Sequence, residues 1–242
     1  MAKIHIVLQG KGGVGKSVIA ALLAQYLQSK GKKPICIDTD PVNATFHGYK
    51  GLGAKHLQIM EDNVINARNF DSLVETISTT KADAVIDNGA SSFIPLTEYL
   101  ISNQVFQLFA EMGHQVIIHM VVTGGQALAD TTTGVDQLIK QIPVEGQVVI
   151  WLNPYWGPIE HEGKDFEHLG VYLKHKARMS AVIRIPALKE ETYGRDLSDM
   201  LQARQTFDEA LATKSLTIMT RQRLKIVKGL IFDQLDNVPV LA

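Results

Sequence analysis

The sequence predicts an α/β fold in which a mostly parallel, twisted β-sheet carries helices on both faces. Six short apolar runs, rich in valine and isoleucine, recur along the chain and mostly lack strict alternation with polar residues. Strands that are buried on both faces have this pattern. Longer stretches with helical spacing separate the runs, which is typical of strand–helix–strand units in a parallel sheet. We therefore expect residues 1–242 to form a single domain of this class.

The predicted strands and helices alternate along the chain. Strands are expected at residues 4–8, 34–37, 84–86, 116–122, 147–152 and 181–185. Helices are expected at residues 17–30, 70–78, 96–112, 126–141 and 217–235, and Gly31 is the expected C-terminal cap of the first. Residues 46–62 are predicted to form a loop with a short edge strand. Residues 154–178 are predicted to form an insertion that is partly helical from about residue 165.

Composition restricts the classes of function. A net charge of −1 argues against a protein that coats nucleic acid over its whole surface, although a local basic patch stays open. The single cysteine, Cys36, lies in an apolar run and allows no internal disulfide, which fits a reducing compartment. There is no signal-peptide pattern and no apolar run near the roughly 18 residues of a membrane span. We expect a cytoplasmic protein.

Residues 9–17, QGKGGVGKS, contain a phosphate-binding motif. Gly10, Gly15, Lys16 and Ser17 satisfy the spacing G-x-x-x-x-G-K-[ST], between the first predicted strand and the first predicted helix. Glycines let the backbone aim its N–H groups at a phosphate, and the helix N-terminus adds further N–H groups. We expect Lys16 to reach the β- and γ-phosphates and the Ser17 hydroxyl to bind Mg²⁺. The sequence therefore predicts a P-loop NTPase.

The interior of this loop is more specific. The string KGGVGKS, from Lys11 to Ser17, resembles the deviant Walker A motif of the ParA and MinD family of ATPases. The resemblance implies that Lys11 crosses a dimer interface and touches the phosphates of the partner's ATP; a solvated lysine at a loop tip is the alternative. The nucleotide-binding positions that it implies in this stretch are Gly10, Gly12, Gly13, Val14, Gly15, Lys16, Ser17 and Val18.

Two carboxylates follow the second predicted strand, in the string Asp38-Thr39-Asp40-Pro41. Ligands of parallel sheets bind at the carboxyl ends of the strands. The family resemblance assigns Asp40 to orienting the attacking water and Asp38 to holding Mg²⁺ through its water shell. A turn capped by acids before proline is the alternative. Val42 and Asn43 follow one residue sooner than in many ParA proteins, so the geometry of this first switch stays open.

The third predicted strand leads into Asp87, which is a candidate Walker B acid that binds Mg²⁺ directly or through water. Asn88, Gly89 and Ala90 follow as a candidate γ-phosphate sensor, since Gly89 permits close approach of the backbone. Residues 121–128, together with this Asp-Asn-Gly-Ala string, resemble a plasmid-borne, TraL- or StbB-like subgroup of the family that is tied to conjugative transfer. Gly124, Gly125 and Gln126 alone are typical of a turn that opens a helix.

Two positions near the later strands are candidates for the base. Asn153 resembles the family position at which an amide reads the adenine edge, with an Asn–Pro turn as the alternative. Pro186 lies where relatives contact adenine through backbone groups. The N-K-x-D pattern for guanine is missing, so ATP is favoured over GTP.

The last predicted helix combines apolar and basic residues. Leu224, Val227, Ile231 and Leu235 follow helical spacing and are expected to pack on the sheet. The basic residues Arg221, Arg223, Lys225 and Lys228 suggest non-specific DNA or anionic lipid as contacts, with a solvated basic face as the alternative. His161, His168 and His175 are expected to be solvated, because zinc sites need closer ligand pairs.

Together these observations predict an ATP-dependent molecular switch that dimerises around two ATP molecules. It would hydrolyse ATP weakly, under stimulation by a partner protein, and act in plasmid DNA partition, positioning or conjugative transfer. Two alternatives stay open. One is a metabolic P-loop enzyme that couples ATP to a small-molecule substrate, and the other is a MinD-like positioning ATPase recruited to a membrane.

Overall fold

The computed structural model describes residues 1–241, and its strands are bounded as follows. They are β1 (Lys3–Leu8), β2 (Ile35–Asp38), β3 (Lys55–His56), β4 (Met60–Glu61), β5 (Val64–Ile65), β6 (Ala84–Asp87), β7 (Gln115–Thr123), β8 (Gln147–Asn153), β9 (Glu160–His161), β10 (Lys164–Asp165) and β11 (Met179–Arg184). Within residues 1–241, seven of them form one parallel sheet in the order β11-β8-β7-β1-β6-β2-β3. The pairs β4–β5 and β9–β10 are separate antiparallel hairpins.

The helices cover both faces of this sheet, as predicted. They are α1 (Lys16–Ser29), α2 (Asp71–Ser78), α3 (Phe93–Ser102), α4 (Val105–Glu111), α5 (Leu128–Gln141), α6 (Gly170–His175), α7 (Arg195–Gln202), α8 (Phe207–Ala212) and α9 (Ile218–Asp236). Helices α1, α7, α8 and α9 bury one face of the sheet, and α2 to α6 bury the other. The central strands are therefore buried on both sides, which explains their continuous apolar runs.

The phosphate loop follows β1, the strand at which the order of strands in the sheet changes direction. From β1 the chain crosses through α1 to β2 on one side, and from β6 it crosses to β7 on the other side. Crevices at such a reversal, beyond the carboxyl ends of the strands, are where open α/β sheets bind ligands. The loop after β1 lies at that point, and β2 and β6 end beside it.

Most predicted elements are confirmed, with some corrections. The single helix predicted at 96–112 is wrong: α3 and α4 are separated at Gln104, whose φ of 53° cannot continue a right-handed helix. Helices α7 and α8 were not assigned from the sequence. The expected edge strand within 46–62 is β3, and the insertion at 154–178 contains the β9–β10 hairpin and α6. In α9 the four expected packing residues are all buried.

A line of hydrogen bonds joins three buried rings in the centre of the sheet. Trp151 Nε1 donates to His119 Nδ1 at 2.9 Å, and His119 Nε2 lies 3.0 Å from His5 Nδ1. An indole N–H only donates, so His119 carries its proton on Nε2 and passes a hydrogen bond to His5. The proton of His5 is then on Nε2, which has no hydrogen-bond partner among residues 1–241. Burial lowers the pKa of His5 to about 4 and also lowers that of His119.

These two histidines predict acid lability. In the unfolded chain the two histidines bind protons below about pH 6.5, whereas His5 in the folded protein binds its proton only near pH 4. The free energy of unfolding therefore falls as the pH falls from about 6.5 to about 4. At pH 5, His5 alone lowers the free energy of unfolding by about 2 kcal/mol. Urea unfolding at pH 7 and pH 5 should show that His5→Leu loses less stability on acidification than the parent protein does. The same pH dependence in His5→Leu and in the exposed control His161→Gln would contradict this assignment.

Candidate functional site

The loop between β1 and α1 has the backbone that its glycines predict. Gly13 and Gly15 have φ values of 72° and 96°, a region that favours glycine. A Cβ on Gly15 would also lie 2.7 Å from Asn153 Nδ2, and one on Gly10 would lie 3.1 Å from the Phe93 ring. The loop therefore needs glycine for conformation at Gly13 and Gly15 and for space at Gly15, while a Cβ on Gly10 would make only a tight contact with the Phe93 ring. The predicted strand–loop–helix setting is confirmed.

The two lysines of the loop have opposite environments. Lys16 is buried, and its Nζ donates to the backbone oxygen of Lys11 at 2.9 Å. Burial lowers the pKa of Lys16, while the carboxylates of Asp87 and Asp40 act to raise it. The side chain of Lys11 is about half exposed, and its Nζ lies 2.7 Å from Asp130 Oδ2 in the first turn of α5. Lys16 thus lies inside the loop, whereas Lys11 lies at the molecular surface.

Asp87 ends β6 beneath the loop as a buried acid. Neither carboxylate oxygen has a hydrogen bond of good geometry within residues 1–241, although the Ser17 hydroxyl lies close enough to stabilise the charged form. Burial raises the pKa of Asp87 to about 8. A buried acid without partners is costly, and a divalent cation would remove the cost. Carboxylate and hydroxyl oxygens are ligands that suit Mg²⁺, so the residues present fit that ion.

Asp38 and Asp40 both cap the backbone of the segment that follows β2. Asp38 accepts hydrogen bonds from the N–H groups of Asp40 and His47, each at 2.9 Å. Burial raises the pKa of Asp38. Asp40 Oδ1 accepts from the N–H groups of Val42 at 2.9 Å and Asn43 at 3.0 Å. The capped turn that the Asp-Pro string suggests is therefore present, and the remaining lone pairs of both acids stay available for other partners.

The candidate sensor lies directly against Asp40. A Cβ on Gly89 would lie 2.5 Å from Asp40 Cγ, so glycine is required there by close approach. The buried hydroxyls that hold this region together could not be predicted from the sequence. Asn88 Oδ1 accepts from Thr39 Oγ1 at 3.0 Å and from Ser92 Oγ at 2.7 Å, which joins the ends of β2 and β6. No spacing rule in the sequence predicts that these three polar side chains meet.

The turn after β8 contacts the phosphate loop. Asn153 Nδ2 donates to the Val14 carbonyl at 2.9 Å, while Asn153 Oδ1 accepts the Tyr155 N–H at 3.2 Å. The amide that was expected to read adenine is thus engaged within the chain, and the alternative Asn–Pro turn is present. Trp156 Nε1 donates to the Gly13 carbonyl at 3.1 Å, a contact that no pattern in the sequence predicts.

An open cleft of about 310 Å³ lies at the carboxyl ends of β8 and β11, where Asn153 and Pro186 were expected to meet a base. It is lined by Leu152, Pro154, Ile159, Asp165, Phe166, Glu167, Arg184, Ile185 and Ala187. Pro186 lies between two of these lining residues, and Asn153 lies between two others. A mostly apolar lining with a few polar groups is usual in small-molecule sites.

The expectations about metal ligands, the three histidines and a membrane have different outcomes. Among residues 1–241 no cluster of three or more His, Cys, Asp or Glu side chains is arranged to hold a metal. His161 and His168 are exposed, but His175 is buried and its Nε2 lies 2.7 Å from Asp136 Oδ1, so the expectation that all three are solvated was wrong. None of the helices formed by the described part of the chain combines the length and apolar character needed to cross a bilayer.

Comparison with known proteins identifies relatives of this site and fold. A family model described as the CobQ/CobB/MinD/ParA nucleotide binding domain matches residues 5–232. Two Escherichia coli proteins, each named Protein TraL, are 68% and 66% identical to the chain over 241 residues, covering 100% of both partners in each case. The MinD cell division protein of Aquifex aeolicus shares the fold, with a TM-score of 0.54 over 98% of this chain and 97% of that one at 16% identity.

The environment of Asp87 yields a prediction for the nucleotide-free protein. The unfolded chain releases the Asp87 proton near pH 4, but the folded chain holds it until about pH 8, so the acid reduces stability progressively between those values. Asp87→Asn should therefore be more stable than the parent at pH 8, on the order of 3 kcal/mol, with the gain shrinking towards pH 5. Thermal melts at both values measure this. An equal gain in the exposed control Asp233→Asn, or none in Asp87→Asn, would count against it.

Proposed function

Because the chain belongs to the CobQ/CobB/MinD/ParA nucleotide-binding family, we propose that it is an ATP-dependent switch that dimerises and then hydrolyses ATP weakly under stimulation by a partner protein. The observation that carries the proposal is the pair of lysines in one loop. Lys16 faces the interior, while Lys11 is half exposed beside it. A half-exposed lysine next to the phosphate loop can reach a nucleotide bound to a second copy once it leaves Asp130.

The buried residues have complementary roles in this proposal. Lys16 and the loop amides would bind the β- and γ-phosphates, and Ser17 with Asp87 would hold Mg²⁺, which would neutralise phosphate charge. Asp38 would help to hold the ion through water. Asp40, which lies against Gly89, orients the attacking water. These assignments are supported by the unpartnered oxygens of Asp87 and by the position of all three acids at the carboxyl ends of neighbouring strands.

The surface around the loop supports association of two copies. Apolar side chains that are well exposed near the loop include Val42, Ile94, Tyr155 and Trp156. Contiguous exposed apolar patches mark interaction surfaces, and the proposal takes these side chains as parts of one such patch. On dimerisation Lys11 would leave Asp130 for the phosphates of the second copy. Exposed ion pairs are worth about 1 kcal/mol or less, so this exchange is easily reversed.

The cargo is proposed to be plasmid DNA or a DNA-transfer complex, in agreement with the full-length likeness to the TraL proteins. The basic residues of α9 offer limited support for direct DNA binding. Arg223 Nε lies 2.5 Å from Asp196 and Lys228 Nζ lies 2.5 Å from Asp208, so both tie α9 to neighbouring helices. We therefore infer that a partner protein, acting on the cytoplasmic switch, supplies most of the contact with DNA.

Lys11→Ala should separate the switch from simple binding. ATP affinity should stay within about twofold of the parent, because Lys16 and the loop amides are intact, but ATP should no longer produce a dimer or turnover. Calorimetry with ATP, together with sizing in ADP and in ATP with and without DNA, measures both properties. Lys16→Ala is the matched control and should lose ATP binding. A Lys11→Ala protein that still dimerises with ATP would refute the switch, as would a constitutive dimer that is indifferent to nucleotide and depends on a small co-substrate.

Asp40→Asn should bind ATP and dimerise but turn over at least about a hundredfold more slowly, since an amide does not accept the proton of the attacking water as a carboxylate does. Asparagine keeps the side-chain oxygen that accepts from Val42 and Asn43, so the capped turn survives. Phosphate release in single-turnover conditions is the measurement. Turnover at the parent rate would remove Asp40 from the mechanism.

A further inference from the structure

Two side chains hold the phosphate loop from its outer side. Asn153 Nδ2 donates to the Val14 carbonyl at 2.9 Å, and Trp156 Nε1 donates to the Gly13 carbonyl at 3.1 Å. The two donors belong to one short turn after β8, and the two acceptors are consecutive in the loop. Neither contact is required by the motif itself, which specifies only residues inside the loop.

These two hydrogen bonds also orient the N–H groups of the residues that follow each carbonyl. In a trans peptide, the carbonyl of one residue and the N–H of the next point in opposite directions. A donor that holds the Gly13 carbonyl from outside therefore turns the Val14 N–H inward. By the same argument, Asn153 at the Val14 carbonyl turns the Gly15 N–H inward. Successive inward N–H groups in a glycine loop form the concavity that binds an anion.

The turn that carries these donors is itself anchored. A Cβ on Gly124 would lie 2.2 Å from the Pro158 carbonyl oxygen, and one on Gly125 would lie 2.3 Å from that of Trp156. The end of β7 therefore supports the turn at a distance that only glycine permits. This is a second role for two residues that in sequence look like an ordinary helix-opening turn.

Burial does not explain the position of Trp156. The residue is 55% exposed, and its ring contacts Tyr155 edge-on with centroids 5.0 Å apart. An indole has a single polar group, which can only donate. The bond to Gly13 is thus the specific interaction that holds an otherwise half-solvated ring against the loop.

We propose that Asn153 and Trp156 are positioning residues that pre-organise the Val14 and Gly15 amides for the polyphosphate of a nucleotide. The inference rests on the proposed nucleotide binding at this loop and adds a cause for its affinity. Among the described residues of the loop, 9–17, no hydrogen bond from one loop residue to another fixes the peptide plane between Gly13 and Val14 or the one between Val14 and Gly15. Holding them in advance removes part of the ordering cost of binding.

Trp156→Phe tests the tryptophan, because it keeps an aromatic ring and removes the donor. We expect ATP and ADP to bind about three- to tenfold more weakly, the effect of one neutral hydrogen bond, with faster amide exchange in residues 10–17 of the nucleotide-free protein. Tyr99→Phe, which removes the hydrogen bond from the Tyr99 hydroxyl to Asp71 and none to the loop, should stay within twofold. Affinity in Trp156→Phe equal to the parent would overturn the role of Trp156. A parent protein that bound no nucleotide would instead refute the proposed function.

Asn153→Ala distinguishes positioning from base reading, with ATP and ITP as probes that differ at the 6-position of the purine. Positioning predicts that both lose affinity by the same factor, because the bond acts on the phosphate loop. Loss of the preference for ATP, with ITP unchanged, would assign Asn153 to the base and overturn its positioning role. If Asn153→Ala does not fold, Asn153→Ser, which retains a shorter side chain with a donor, should recover the fold and show the same equal loss.

Discussion

The orientation of a few peptide groups at the end of β1 is the constraint on which the rest of this protein depends. A phosphate loop contributes little side-chain chemistry, so its N–H groups have to converge on one point before they can bind charge. Left-handed glycines make the curl possible, and α1 begins where the curl ends. The sheet places β2, β6 and β8 around it, and each contributes a residue at its carboxyl end.

The same point collects buried charge that the protein does not neutralise by itself. Lys16 donates to a carbonyl rather than to an acid, and Asp87 lacks good hydrogen bonds within the described chain. Burial lowers the pKa of Lys16 and raises the pKa of Asp87, so it favours the neutral form of each group. An arrangement of this kind lowers the stability of the protein alone and raises the gain when a cation and a polyphosphate arrive together. Instability is thus concentrated where binding can relieve it.

Much of this could be predicted because local patterns decided it. The loop motif, the strand ends at Asp38 and Asp87 and the buried face of α9 follow from spacing and apolar periodicity. The break in the helix at Gln104 could not be predicted, since glutamine has no strong tendency to leave a helix, yet Gln104 adopts a left-handed conformation between α3 and α4. Helices α7 and α8, by contrast, have local signals that predict them. Leu197, Met200 and Leu201 follow helical spacing in α7, and Thr206 with Glu209 forms a capping box at the start of α8.

By itself, the sequence determined the fold class, the phosphate loop and the family, since those depend on residue types at short and regular separations. Only the tertiary structure decided which side chains meet that loop from a distance. Asn153 and Trp156 lie about 140 positions beyond the carbonyls that they hold, and Asp130 pairs with Lys11 across 119 positions. Such contacts depend on how the strands are ordered in the sheet, and no local pattern encodes that order.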